Sequence, residues 1–158
     1  MHSPSRWTSS TTDTRVFTYY PWQLAYTSSV VKRDCDVVVR FIDGCLEKCT
    51  KEQLAQKIVR EQPTHLLMEP ATRTWDEDWW VMQRVKAETN ALLLVAGQHA
   101  MAHAGALSQV VDAVLLGEYE YTVRDIMRGD PLASIQGVWP NPRRELLDVA
   151  TLPWPEDT

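Results

Sequence analysis

At 158 residues the chain is long enough to bury one hydrophobic core without disulfide or metal staples, and its 44% apolar and 23% charged content is that of an ordinary globular domain. A net charge of -5, with no dense block of lysine or arginine, argues against a broad nucleic-acid footprint. No apolar run approaches the length of a bilayer-spanning helix, and the three cysteines suit a reducing, cytoplasmic setting with free thiols.

Residues 1–13 are polar, rich in serine and threonine, and lack the apolar region of a secretory signal, so they read as a flexible leader. Residues 14–20 (TRVFTYY) are aromatic and β-branched and predict a strand that stops at Pro21. Helical spacing of Leu24, Val30 and Val31 follows over 22–34, and the valine run of 36–43 predicts a second strand buried on both faces. Thr50 with Gln53 forms the pattern of a capping box, opening a helix whose buried side is Leu54, Ile58 and Val59. A third strand is expected at 64–69. A helix follows over 75–89, where Trp75, Trp79, Met82, Val85 and Lys86 recur at helical intervals. The apolar 91–97 predicts a fourth strand and the alanine-rich 99–110 a short helix. Residues 112–116 predict a fifth strand, and 118–128 the helix behind it. Beyond Arg128 the pattern changes, to a hairpin near 134–145 and an extended, proline-rich tail with the composition of a linker.

Alternating apolar strands and helices predict a flavodoxin-like or Rossmann-like, doubly wound, five-stranded parallel sheet with helices on both faces. The C-terminal hairpin and extended tail are additions to it. Ligands of such folds sit beyond the carboxyl ends of the strands. Those ends read Tyr20-Pro21, EPATRT (69–74), AGQH (96–99) and GEYEYT (117–122), all supplying small residues, proline or hydroxyls. Glycine there lets a ligand approach the backbone, and helix starts offer free N–H groups. Together they describe a long, shallow groove suited to binding more than to catalysis. A phosphotransfer receiver would need acids after the first and third strands and a lysine after the fifth. Tyr20-Pro21, Glu69-Pro70 and Gly117 stand there instead. Neither a flavin phosphate loop after the first strand nor a nucleotide P-loop is present.

The segments AGQHA (96–100), DAVLLGEYEYT (112–122), SIQGVW (134–139) and LPWP (152–155) occur in an order that resembles the N-terminal cobalamin-binding domain of cobalamin-dependent radical SAM enzymes. In that family the fourth strand ends in GG-x-H and the fifth in GEGE-x-T. A hairpin with I-x-G then leads to a D-x-LP-x-P linker before the radical SAM barrel. YPWQLAYTSSVVK (20–32) is similar to the family's opening helix, and the likeness runs from about Arg15 to the end. Ala96 stands in place of the first glycine of GG-x-H, and Tyr119 in place of the central glycine of GEGE.

The resemblance implies that residues 14–130 bind cobalamin and that 131–158 lead toward a radical SAM catalytic domain outside this chain. That partner would hold the S-adenosylmethionine and the iron–sulfur cluster. The implied cofactor contacts are Tyr20, Pro21, Trp22 and Gln23, then Thr72 and Thr74, then Ala96, Gly97 and His99, and finally Gly117, Glu118, Tyr119 and Thr122. The D-x-H-x-x-G motif that brings a histidine to cobalt elsewhere is absent, so the resemblance implies a cobalt without a protein ligand. The domain alone would bind without turnover, serving methyl transfer or a related radical reaction. No catalytic residue is assigned.

Plainer readings stand beside these. Cys45 and Cys49 fall in CLEKCTKE, close to the cluster motif CxxxCxxC, but Glu52 holds the third position and free thiols are the simpler reading. His99 and His103 share a helix face without a third ligand, as surface histidines do. Trp75 and Trp79 suit a helix core, whereas Trp22, Trp139 and Trp154 suit a domain interface. Two rivals remain: a cofactor-free interaction or structural module, and a small-molecule enzyme using Glu69 or His99 as acid–base residue.

Overall fold

Proline has no backbone N–H to leave unsatisfied, which suits Pro21 to a helix start. Helix α1 (Trp22–Asp34) begins directly after it in the computed structural model, which describes residues 20–155. The expected capping box is formed. Thr50 Oγ1 accepts from the Gln53 N–H at 3.3 Å and Gln53 Oε1 from the Thr50 N–H at 2.9 Å, opening α2 (Lys51–Arg60). Strands β1 (His65–Met68), β2 (Leu92–Val95) and β3 (Ala113–Val114) then alternate with helices: α3 (Trp75–Glu88) between the first two, and the short α4 (Gly97–Ala102) and α5 (Ala104–Leu107) between the second pair. Helix α6 (Glu120–Met127) closes the series.

The strands form a parallel sheet in the order β1-β2-β3, with Leu66 opposite Leu93, Met68 opposite Val95 and Leu94 opposite Ala113. Successive strand residues point to opposite faces, and here they feed two separate cores. Leu66, Met68, Leu93, Val95 and Val114 pack with α2, α3, α4 and α5. Leu94, Ala96, Ala113 and Leu115 pack under α1 and α6. The continuous apolar runs in the sequence therefore mark strands covered on both sides. Trp75 and Trp79 lie partly buried against the first core, and Trp80 stays at the surface with Lys51 Nζ 5.3 Å from its ring centroid. Among the described residues, no helix is long and apolar enough to cross a membrane.

The expectation of five strands is overturned: the sheet has three among the described residues. The strand expected at 14–20 lies outside the described residues except for Tyr20, which is exposed and in no strand. Residues 36–43 form no ladder strand. Val38 is 81% exposed and Val39 and Phe41 alone pack on the α1/α6 core, so the valine run lacks the two-sided burial that would make it a central strand. β3 is shorter than predicted: the Leu115 N–H still donates to Val95 O at 2.8 Å, but Leu115 also forms an antiparallel bridge with Val138. The Leu116 N–H donates to Gly137 O at 2.7 Å and the Trp139 N–H to Val114 O at 2.9 Å. That bridge, with a turn closed by the Gly137 N–H on Pro142 O at 2.8 Å, replaces the expected hairpin. With strand order 1-2-3 the described sheet never reverses direction, so doubly wound does not describe it, although helices do cover both faces.

Candidate functional site

Parallel strands deliver their carboxyl ends, and the starts of the helices that follow, to one edge. Here that edge gathers Glu69 after β1, Ala96 and Gly97 after β2, and Gly117 to Glu120 after β3. Gly97 has φ +85° and Gly117 φ +70°, both in the left-handed range that glycine adopts without strain. A Cβ on Gly97 would stand 3.3 Å from Glu69 Oε1, so the β1 and β2 ends approach closely. The Gly117 N–H donates to Met101 Sδ at 3.1 Å, tying the third loop to α4.

The predicted contacts divide into two groups. Trp22, Gln23, Thr72, Gly97, His99 and Gly117 keep some exposure. Thr72 Oγ1 is 3.1 Å from His99 Nδ1, and the His99 ring stacks on Trp75 with centroids 5.0 Å apart. Burial, with His103 at 4.7 Å between ring centroids, holds His99 below the usual histidine range. Tyr20 is exposed and Pro21 buried. The other predicted contacts are engaged within the protein. Thr74 is buried and donates to Asp78 Oδ2 at 2.9 Å; Ala96 and Tyr119 belong to the α1/α6 core. Thr122 is fully buried, donating to Gln136 O at 3.2 Å and accepting from Arg144 Nε at 3.1 Å. Glu118 Oε2 accepts from the Leu147 N–H at 2.6 Å.

Glu118 is therefore one anchor of the C-terminal segment. Arg144 bridges to Asp125, and Thr151 Oγ1 lies 3.0 Å from Tyr121 Oη while its carbonyl accepts from Arg33 at 3.0 Å. The tail read as a linker is strapped along α6. Replacing Glu118 with alanine removes a charge-assisted bond worth about 1–2 kcal/mol. We expect limited proteolysis after residue 143 to speed up roughly ten-fold, with the remainder of the chain resisting as before.

Glu120 stands near the start of the helix predicted over 118–128, where an acid suits the positive end of the helix dipole. The structure buries it to 2% exposure, with Oε2 lacking a hydrogen-bond partner. Burial pushes its pKa up to about 7; the Glu118 and Glu69 carboxylates push the same way, while its own helix N–H and the Gln23 amide oppose them. The available signal was spacing, since Glu120 shares a helical phase with Val123 and Met127.

Among the described residues no three His, Cys, Asp or Glu side chains converge on a metal position. A cavity of about 500 Å³ lies away from this edge, between α1, residues 37–42 and the outer side of β1.

Fold and edge together define a three-layer α/β protein with an acidic, glycine-bearing carboxyl edge. No family model matches the chain, and no curated protein matches it. Among solved structures it is similar to the N-terminal domain of the hypothetical protein TM0182 of Thermotoga maritima, at 19% identity and a TM-score of 0.51. The alignment covers 75% of this chain and 95% of that one. At such identity the likeness speaks for the fold alone.

Proposed function

We propose that the chain is a cytoplasmic cobalamin-binding domain that offers the cofactor, across its carboxyl edge, to a radical SAM catalytic partner. The observation that carries this reading is the pair of left-handed glycines, Gly97 and Gly117, which follow β2 and β3 and bring main chain without a side chain of its own to the carboxyl edge. They fit a large, flat ligand lying against main chain. Thr74, Tyr119 and Thr122 do not fit as contacts, because their side chains are buried and used elsewhere. The fitting set is therefore the partly exposed Tyr20, Trp22, Gln23, Thr72, Gly97, His99 and Gly117. When bound, the cofactor would supply the cobalt chemistry of group transfer. These residues would orient it and, with no histidine among Tyr20 to Gln23, leave its lower face without a protein ligand.

A second reading has its own observation. Glu118 already holds the Leu147 N–H and Tyr119 fills core where the resembled family has glycine, which suits an interaction module without cofactor. One titration separates the two. Hydroxocobalamin added to the purified chain is expected to co-elute on gel filtration with a visible corrin spectrum. Trp22→Ala, at a side chain 48% exposed, should alter that spectrum more than the affinity. Colourless protein at high micromolar cofactor would overturn the cobalamin reading and leave the module.

A further inference from the structure

The cavity of about 500 Å³ outside β1 sets its own requirements on whatever fills it. Leu24, Val31, Phe41 and Leu67 line it from the α1/α6 core, whereas Ile58 and Leu66 line it from the core under α2 and α3. The space therefore passes the outer side of β1 from one face of the sheet to the other, and an occupant has to be apolar on both its sides. Arg40 and Thr27 on the lining are already engaged: Arg40 Nε donates to Glu61 Oε2 at 2.9 Å, and Thr27 Oγ1 to Gln23 O at 2.8 Å.

The chain reaches this space on its own. Cys35 Sγ donates to Arg124 O at 3.6 Å and Arg128 donates to Asp34 O at 3.3 Å, so α1 and α6 end together. The two helices pack side by side, and α6 leads away from the carboxyl edge, so α1 leads away from it too. Tyr20 is thus delivered to that edge, opposite the end of the cavity lined by Gln62 and Pro63. Residues 14–20 in extended form cover about 20 Å, enough to pass the whole of β1, which is about 13 Å long. In an extended chain Val16 and Thr18 project to one side and Phe17 and Tyr19 to the other, so each side carries apolar surface.

Other occupants match less. The β1 of a second copy carries the same flanks, α1 and residues 37–42, and cannot enter the gap between them. A free apolar molecule has to compete with a covalently adjacent segment, whose effective concentration is of millimolar order.

We propose that residues 14–19 fill this cavity in extended form, alongside β1 and toward the carboxyl edge, and thereby hold Tyr20 to Gln23 in the candidate groove. The proposal stands whether or not the ligand of that groove is cobalamin.

The chain has two phenylalanines, Phe17 in the segment and Phe41 on the cavity wall, and they supply the test. The full chain labelled with ¹⁹F-phenylalanine gives two resonances, assigned with Phe41→Leu, and a soluble gadolinium chelate measures the exposure of each. Phe17 is expected to respond to the chelate roughly five-fold less than free fluorophenylalanine does. Phe17→Asp, which carries a charge that an apolar cavity rejects, should raise the Phe41 response roughly five-fold. Should that variant fold poorly, Phe17→Ala is read in the same way with a smaller rise. Phe17 responding like the free amino acid would overturn the proposal, and 1-octanol that then shields Phe41 would identify an apolar ligand instead. Phe17 shielded while Phe41 ignores both substitutions places the segment elsewhere and equally overturns it. Shielding of Phe17 that is lost on dilution would assign the segment to a second copy of the chain and overturn the intramolecular seat.

Discussion

Glu120→Gln is expected to flatten one limb of the chain's stability–pH profile. The carboxyl has a folded-state pKa raised to about 7 from an ordinary 4.5, because burial disfavours its charged form. The folded state thus holds this proton more tightly than the unfolded state does. Its stabilising contribution is complete below about pH 4.5, where both states are protonated. It falls as pH rises, because the unfolded carboxyl ionises first, and is gone above the folded pKa near 7. The shift corresponds to roughly 3 kcal/mol across that window. Glutamine keeps the shape without the titration. Urea unfolding of both proteins from pH 4.5 to 8 should therefore show the variant gaining about 3 kcal/mol on the parent toward the alkaline end. Parallel profiles would show that the carboxyl titrates as an ordinary exposed one.

Gly137→Ala should be among the most damaging single-atom additions to this chain. Gly137 sits at φ +88°, and a Cβ there would overlap Thr122 Oγ1. Thr122 has no room to retreat, being fully buried and bonded to Gln136 O and Arg144 Nε. Left-handed strain of about 1–2 kcal/mol and overpacking of similar size add to roughly 3 kcal/mol, read by chemical denaturation. Adding Thr122→Ala removes the overlapping oxygen but not the backbone strain. The double variant should recover about 1–2 kcal/mol beyond additivity. Strict additivity would mean that the collision never occurs.

The contrast between these positions and those the sequence exposes is physical. The capping box at Thr50 and Gln53, the tryptophan helix and the central strands were all legible, because each is written in spacing within one short window. Residues 36–43 misled because a valine run states a preference for burial without stating whether two neighbouring strands are there to supply it. The site was half legible. Gly97 and Gly117 follow from the need for left-handed turns at strand ends, but the inward turn of Thr122 is set by Gly137 and Arg144 from later in the chain. Glu118 and Glu120 are two residues apart in sequence, yet one binds the tail and the other is buried. An acid in the first turn of a helix ordinarily signals the dipole, and here that meaning hid the more consequential one.

The fastening of the tail has a mechanical consequence. Its holds on α6 and the turn before it, through Glu118, Tyr121, Thr122 and Asp125, straddle Glu120 on both sides. A pull on residues 144–151 is therefore shared among several bonds loaded together, and it arrives at the helical turn that carries the buried carboxyl.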